Sequence, residues 1–148
     1  MNIAILVVAS GLLACGEAKE DELTPYIKTL QDLEVHSLKL VRYQSYLTTE
    51  GMTNKAHDIE EVMQTLRDEL EKVELESKRL RVLHNIMKRA LDRAIRKLVE
   101  PDFPTFVPNA QKSIGVVEGE FTKVYINLDK MWTDAGKTEP FPLKWDME

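Results

Sequence analysis

The chain has 148 residues and a formal net charge of −5; 30% of its residues are charged and 7% are aromatic. The negative balance argues against general nucleic-acid binding, which needs a basic domain. The length suits a single domain with its own hydrophobic core. Cys15 is the only cysteine, so a disulfide within the chain is excluded.

An apolar run from Ile3 to Ala14 precedes Cys15, and an acidic stretch follows it. The run is shorter than the roughly 20 residues that span a bilayer, and it matches the apolar part of a secretory signal. Its end, Leu12-Leu13-Ala14-Cys15, resembles the lipobox of bacterial lipoprotein signals. This resemblance implies cleavage before Cys15 and a diacylglyceryl group on its thiol. The protein would then be exported and anchored in the bacterial cell envelope facing the periplasm, with Gly16 favouring the outer membrane.

The start of the apolar run leaves two alternatives open. No Lys or Arg precedes Ile3, although a secretory signal normally begins with a basic segment. An ordinary signal would be removed together with Cys15 and release a secreted protein, whereas an uncleaved run would act as an anchor. We expect a signal peptide at 1–14, an acidic tether at 15–23 and a single helical domain at 24–148.

The first helix is predicted to begin at Thr24-Pro25, because threonine is a good N-cap and proline fits the first helical position. We expect this helix to run to about Leu47. Apolar residues recur in it at alternating steps of three and four, which places them on one stripe. The stripe consists of Tyr26, Leu30, Leu33, Ser37, Leu40, Gln44 and Leu47.

The segment 52–100 contains neither glycine nor proline. Apolar residues keep one heptad frame through it, and only Ser77 and His84 interrupt them. A period of 3.5 residues sustained over more than three heptads indicates a coiled coil. We therefore expect an all-α fold of three amphipathic helical segments, with one long central helix over about 54–99.

The same segment divides into two halves of opposite charge. Residues 54–76 contain eight acidic and three basic side chains, whereas residues 77–99 contain eight basic and one acidic. The halves complement each other if the helix breaks near 76–77 and folds back, which would make a four-helix up-down bundle. The two halves also complement each other if the helix is continuous and two copies pair as an antiparallel homodimer. The lack of a turn residue favours the continuous helix.

A third helix is predicted after a loop at 101–108, with Asn109 or Ser113 as its N-cap and its end near Asp134. Gly115 and Gly119 in this helix form a small-xxx-small pair, which we interpret as allowing close helix packing.

The tail at 140–145 is predicted to be extended because of its two prolines. It either straps across the bundle or offers a short binding peptide that contains Trp145.

No pattern of catalytic or metal-ligating residues is present. The histidines, His36, His57 and His84, share no ligand spacing with one another or with a glutamate. Acidic pairs such as Glu60-Glu61 lie among many charges and are interpreted as solvated surface. We expect no enzymatic activity, no metal and no cofactor.

The basic half of the central segment is the strongest candidate for an interaction surface, because lysines and arginines attract anionic groups. The candidate interaction residues are Lys78, Arg81, Arg89, Arg93 and Arg96, together with Trp145 of the tail. The leading hypothesis is a membrane-tethered lipoprotein that acts as a structural or adaptor module of the bacterial envelope. It would bind itself or another envelope protein and no nucleic acid. The alternatives are a carrier of lipid or another apolar ligand, or a freely secreted helical protein.

Overall fold

The computed structural model describes residues 14–46, 56–98 and 106–145. It contains the helices α1 (Ala14–Tyr46), α2 (Ala56–Glu71), α3 (Lys78–Leu98) and α4 (Phe106–Asp134). No strand occurs within the described ranges, so the predicted all-α class is confirmed. Residues 1–13 of the expected signal peptide lie outside these ranges, and so does the side chain of Cys15.

The predicted continuous helix over 54–99 is wrong, and the alternative with four helices is confirmed. α2 ends at Glu71, and residues 72–77 turn the chain before α3 begins at Lys78. Ser77 caps α3, because its carbonyl oxygen accepts a hydrogen bond from the Arg81 N–H at 2.9 Å. Its hydroxyl oxygen lies 3.4 Å from the backbone nitrogen of Leu80 and accepts from that donor. A serine cap thus begins the new helix without any glycine or proline.

A carboxylate from α1 completes the turn between α2 and α3. The two oxygens of Glu22 accept hydrogen bonds from the backbone N–H groups of Glu76 at 2.5 Å and Ser77 at 2.7 Å. Backbone donors at the start of a helix have no partner within the helix and must find one elsewhere. Here that partner lies more than fifty residues earlier in the chain, so no local pattern around 72–77 reveals the turn.

The four helices form an antiparallel bundle in which each helix packs against the next, and α4 also packs against α1. α2 and α3 run in opposite directions, since Arg67 meets Asp92 whereas Glu71 meets Lys88. α1 and α2 are also antiparallel, because Glu22 near the start of α1 contacts the turn after α2. The acidic and basic halves of the central segment therefore face one another within one chain, and no second copy is needed to juxtapose them.

The predicted apolar stripes form the core of the bundle. Their described members point inward, and many are completely buried, which removes their apolar surface from water. The largest side chains with less than 2% exposure are Phe121, Ile27, Leu30, Leu40, Ile59, Met63, Leu66, Leu70, Leu80, Met87 and Leu91.

Two helix starts differ from the predictions. α1 begins at Ala14 instead of Thr24, so the segment predicted as an acidic tether is part of a helix that contains Pro25. α4 begins at Phe106 instead of Asn109 or Ser113. Proline is tolerated in a first turn, where its missing N–H would have no partner, and residue 108 occupies such a position. The predicted ends of these helices, near Leu47 and Asp134, agree with the structure to within one residue.

The tail reverses direction after α4 and straps along that helix. Gly136 has a φ of 74°, and the N–H groups of Gly136 and Lys137 bond the carbonyls of Thr133 and Trp132. This pattern is a Schellman motif, in which a left-handed glycine ends the helix. The Trp132 indole N–H then donates to the carbonyl of Glu139 at 2.9 Å.

Further along the tail, the Trp145 ring lies 5.1 Å from that of Phe121, centroid to centroid, and Trp145 is buried. The strap interpretation of the tail is therefore the one that the structure shows. Trp145 serves as a packing residue and is not presented on a free peptide.

Gly115 and Gly119 do not mediate close packing within the chain. A Cβ added at either position meets nothing within 4 Å, so the predicted packing role is wrong for the described residues. The pair lies on an open side of α4.

Candidate functional site

α3 is strongly amphipathic and presents a basic stripe on its outer side. Its inward residues are buried: Leu80, Leu83, His84, Met87, Ala90, Leu91 and Ala94. At 3.6 residues per turn, five outward side chains fall within about 60° of one another around the helix. They form the basic stripe, which consists of Lys78, Val82, Arg89, Arg93 and Arg96. Val82 is 53% exposed, so the stripe is apolar as well as basic near its start.

The structure brings three of the predicted interaction residues together at the C-terminal half of α3. They border a shallow cavity of about 360 Å³ between α3 and α4. The cavity is lined by Ile86, Arg89, Asp92, Arg93, Arg96 and Glu120. An isoleucine beside three guanidinium groups can support both apolar contact and bidentate hydrogen bonding to carboxylates.

Ion pairs between α2 and α3 use few of the basic residues. Lys88 pairs with Glu71 at 2.6 Å, and Arg67 pairs with Asp92 at 3.0 Å. The second pair joins a basic residue of the acidic half, Arg67, to the one acidic residue of the basic half, Asp92. This pair therefore involves none of the arginines of α3. Arg89 forms no ion pair with any residue of the described ranges, and the same is true of Arg93. The outer face of α3 therefore retains a strong positive potential.

The two helix-bridging pairs also shift the protonation equilibria of their members. The hydrogen bond to Asp92 raises the pKa of the Arg67 guanidinium above its ordinary value. The hydrogen bond from Lys88 lowers the pKa of the Glu71 carboxyl. Both shifts favour the charged forms, so the α2–α3 contact is ionic at neutral pH.

The other predicted residues lie apart from this arginine cluster. Lys78 lies in the first turn of α3, and Arg81 is about a quarter turn around the helix from the stripe. Trp145 packs against Phe121 on α4 and belongs to a different surface. Cys15 lies in the first turn of α1, and its predicted lipidation stays a prediction.

His84 holds the bundle together from its buried position on α3. Its Nε2 donates to the Leu70 carbonyl at 2.9 Å, because a carbonyl oxygen can only accept. Its Nδ1 then accepts from the Tyr26 hydroxyl at 3.2 Å. Burial disfavours the charged form of each side chain, so it lowers the pKa of His84 and raises the pKa of Tyr26. Both groups are therefore neutral at neutral pH. The histidine that interrupts the apolar stripe is therefore a structural link between α1, α2 and α3.

Sequence reasoning missed two features. Glu22, assigned to the acidic tether, is the acceptor that closes the α2–α3 turn. A groove between α4 and the strap also went unnoticed, because its lining residues come from separate segments, 118–129 and 141–145. The exposed Ile126, an apolar residue on the solvated side of α4, is the one local signal that points to this groove.

The described residues contain no group of three or more His, Cys, Asp and Glu side chains arranged to hold a metal ion. None of the helices in the described ranges is long and apolar enough to cross a membrane.

The described chain is an antiparallel four-helix bundle with a C-terminal strap and a basic outer face. No protein-family model, curated protein or solved structure matches it.

Proposed function

We propose that this chain is an exported, membrane-tethered adaptor of the bacterial cell envelope that binds an acidic partner protein through the basic stripe of α3. The N-terminal pattern that ends at Cys15 supports the tether. The bundle supports the adaptor role, since it offers charged outer faces on a scaffold with a packed core. An adaptor of this kind needs no cofactor and no catalytic group.

The observation that carries the proposal is the exposure of Arg89 and Arg93 without an ion pair to any described residue. Arginines on a monomer surface are often paired or scattered, whereas these lie one turn apart beside Arg96. Guanidinium groups in such a row match carboxylates on a partner, because each one can donate two parallel hydrogen bonds. Complementary charge would also speed the encounter of the two proteins.

The position of the cluster favours a protein partner over the head groups of the membrane that holds the tether. α1 begins at the end of the bundle where Glu22 meets Ser77. From Ser77, Arg89 lies about 18 Å and Arg96 about 28 Å along α3, at 1.5 Å per residue. A lipid on Cys15 would hold at the membrane the end of the bundle where α1 begins, which is the end remote from Arg96. The arginines would then lie at a distance from the membrane along the bundle.

The carrier alternative has less support from the packing. A lipid carrier needs room between its helices, yet the large core side chains from all four helices are less than 2% exposed and fill the interior. The cavities beside α3 and α4 open to the surface of the bundle.

The tether is tested by replacing Cys15 with alanine and following the protein through membrane fractionation. We expect the native chain in the membrane fraction and Cys15→Ala in the soluble fraction. The mass of the mature N-terminus gives a second readout, since it reports cleavage and acylation together. A native chain that is soluble and lacks the added lipid mass would contradict the tether.

The partner surface is tested by photo-crosslinking in the native envelope from a probe residue placed at the exposed Asn85. We expect crosslinked adducts to disappear in Arg89→Glu/Arg93→Glu, because the reversed charges repel an acidic surface. The matched control is Lys112→Glu/Lys130→Glu, which changes net charge equally on the exposed side of α4. Adducts that survive the α3 reversal, or that vanish equally in the control, would overturn the proposed surface.

A further inference from the structure

A second surface, on a different side of the bundle, has the properties of a ligand groove. It lies between α4 and the strap and encloses about 500 Å³, a size within the range of ordinary ligand sites. The part of its lining that bears on recognition is Glu118, Tyr125, Ile126, Asp129, Phe141 and Trp145. Aromatic and aliphatic surface is thus combined with two carboxylates.

Trp145 contributes aromatic surface to the groove lining. The residue is 6% exposed, and its indole nitrogen is buried without an acceptor among the described residues. Because that nitrogen has almost no exposed surface, a ligand in the groove contacts the ring of Trp145 and not its N–H group. The other tryptophan of the chain, Trp132, lies nearby and has its acceptor in the carbonyl of Glu139.

Ile126 adds an exposed apolar side chain to the same lining. Its side chain is 64% exposed, more than Val35 or Val82, which are each 53% exposed. Just beyond it, Gly115 and Gly119 leave this side of α4 open, since a Cβ at either position would meet nothing within 4 Å. An approaching chain therefore meets no steric barrier along this side of the helix.

The charged residues that line the groove favour a ligand of positive charge. Glu118 and Asp129 lie three helical turns apart, about 16 Å along α4. The strap contributes a single opposing charge, Lys144. The balance is acidic, so the groove is complementary to a cationic ligand with apolar groups.

We propose that this groove binds a short extended segment of a partner protein in which basic side chains alternate with large apolar ones. One such ligand accounts for all the features. Apolar side chains of the segment cover Ile126 and Phe141 beside the Trp145 ring, and basic side chains pair with Glu118 and Asp129. The 16 Å between the carboxylates corresponds to about five extended residues. This site is independent of the proposed role of α3, and either one can fail alone.

The test uses the full chain without its signal, a probe peptide of alternating leucine and lysine about six residues long, and a control peptide of alternating leucine and glutamate. The indole N–H signals of the two tryptophans are followed by NMR. We expect the leucine–lysine peptide to shift the Trp145 signal and to leave that of Trp132 largely unchanged, because Trp145 lines the groove and Trp132 does not. The absence of a shift, or equal shifts with both peptides, would overturn the proposal.

Variants of the lining separate binding from folding. Glu118→Gln/Asp129→Asn is expected to weaken binding of the leucine–lysine peptide about fivefold, since two partly exposed ion pairs contribute about 1 kcal/mol together. The matched control, Glu74→Gln/Asp134→Asn, removes two exposed carboxylates outside the groove and should leave the affinity unchanged. Equal losses in both double variants would show that only net charge matters, which would overturn the site.

A further substitution addresses the apolar group. Ile126→Ser is expected to reduce peptide affinity about tenfold without loss of folding, because the side chain is largely exposed in the free protein. If sedimentation instead shows a dimer that Ile126→Ser abolishes, the groove belongs to a second copy of this chain and the peptide proposal is overturned.

Discussion

The two chain reversals at the same end of the bundle are built in opposite ways. After α4, the chain turns by local means, since Gly136 adopts a left-handed conformation and neighbouring backbone groups close the Schellman motif. After α2, the chain turns by tertiary means, because Glu22 of α1 accepts the backbone N–H groups of Glu76 and Ser77. The difference teaches that a chain can leave one helix and begin the next where its sequence contains no breaker, provided that another helix supplies an acceptor for the backbone N–H groups at the start of the second helix.

The largest effect is expected from breaking the tertiary turn. Glu22→Gln keeps one acceptor oxygen but turns an amide NH₂ toward the other backbone donor. We expect the free energy of unfolding to fall by about 2 kcal/mol, since hydrogen bonds to charged groups contribute more than neutral ones. Urea denaturation measures this loss. The control is Asp32→Asn on the same helix, whose exposed pair with Lys28 is worth less than about 0.5 kcal/mol. Equal losses in both variants would contradict a special role for Glu22.

A smaller effect is expected from breaking the local turn. Gly136→Ala should destabilise the protein by about 1 kcal/mol, because the added Cβ is disfavoured in the left-handed region, although it meets no neighbour within 4 Å. The same substitution at Gly119 should stabilise the protein by up to about 1 kcal/mol, because alanine is a better helix former and the site is open. Thermal and urea unfolding check the opposite signs. A neutral Gly136→Ala would show that the strap, and not the glycine, holds the turn.

The smallest effect is a pH dependence that distinguishes the two turns. His84 donates to the Leu70 carbonyl just before the tertiary turn, and burial lowers its pKa below the ordinary 6.5. The unfolded chain therefore binds the proton more tightly than the native state. The contribution of His84 to the free energy of unfolding is fully present above pH 6.5. It declines as the pH falls through that value toward the lower pKa of His84 in the native state.

Amide hydrogen exchange, corrected for intrinsic rates, can locate this pH effect. We expect acid to reduce the protection of the Ser77 amide more than that of Lys137, which belongs to the local turn. His84→Gln should abolish the difference, whereas His36→Gln, at a half-buried histidine of α1, should retain it. Equal acid sensitivity at both turns would argue that protonation acts on global stability alone.

The predictability of the fold follows the same division between local and tertiary causes. The apolar stripes, the C-terminal end of α4 and the extended tail were predictable, since each depends on spacing, glycine or proline within a few residues. The break at 72–77 was not, because the heptad frame continues across it and its stabilising carboxylate comes from α1. The start of α1 was misplaced for a related reason, since Pro25 lies within a helix that begins before it.

The candidate sites divide in the same way. The basic stripe of α3 could be predicted from helical spacing, because Arg89, Arg93 and Arg96 lie on one face of a single helix. That they form no ion pair within the described ranges depends on which side chains α2 presents, because Arg67 of α2 pairs with Asp92. The groove beside Ile126 required the strap to fold back along α4, so no single segment of the sequence contains it.

The sequence by itself determined which side of each helix faces the core, where the positive charge of the outer surface lies and how the tail leaves α4. These properties depend on side-chain chemistry repeated at short spacing. The tertiary structure alone decided that the central segment is two helices, that Arg89 and Arg93 form no ion pair with the residues the structure describes, and that α4 and the strap enclose a groove. Each of these depends on a backbone group or side chain meeting a partner that is distant in the chain, and such meetings exist only once the bundle has formed.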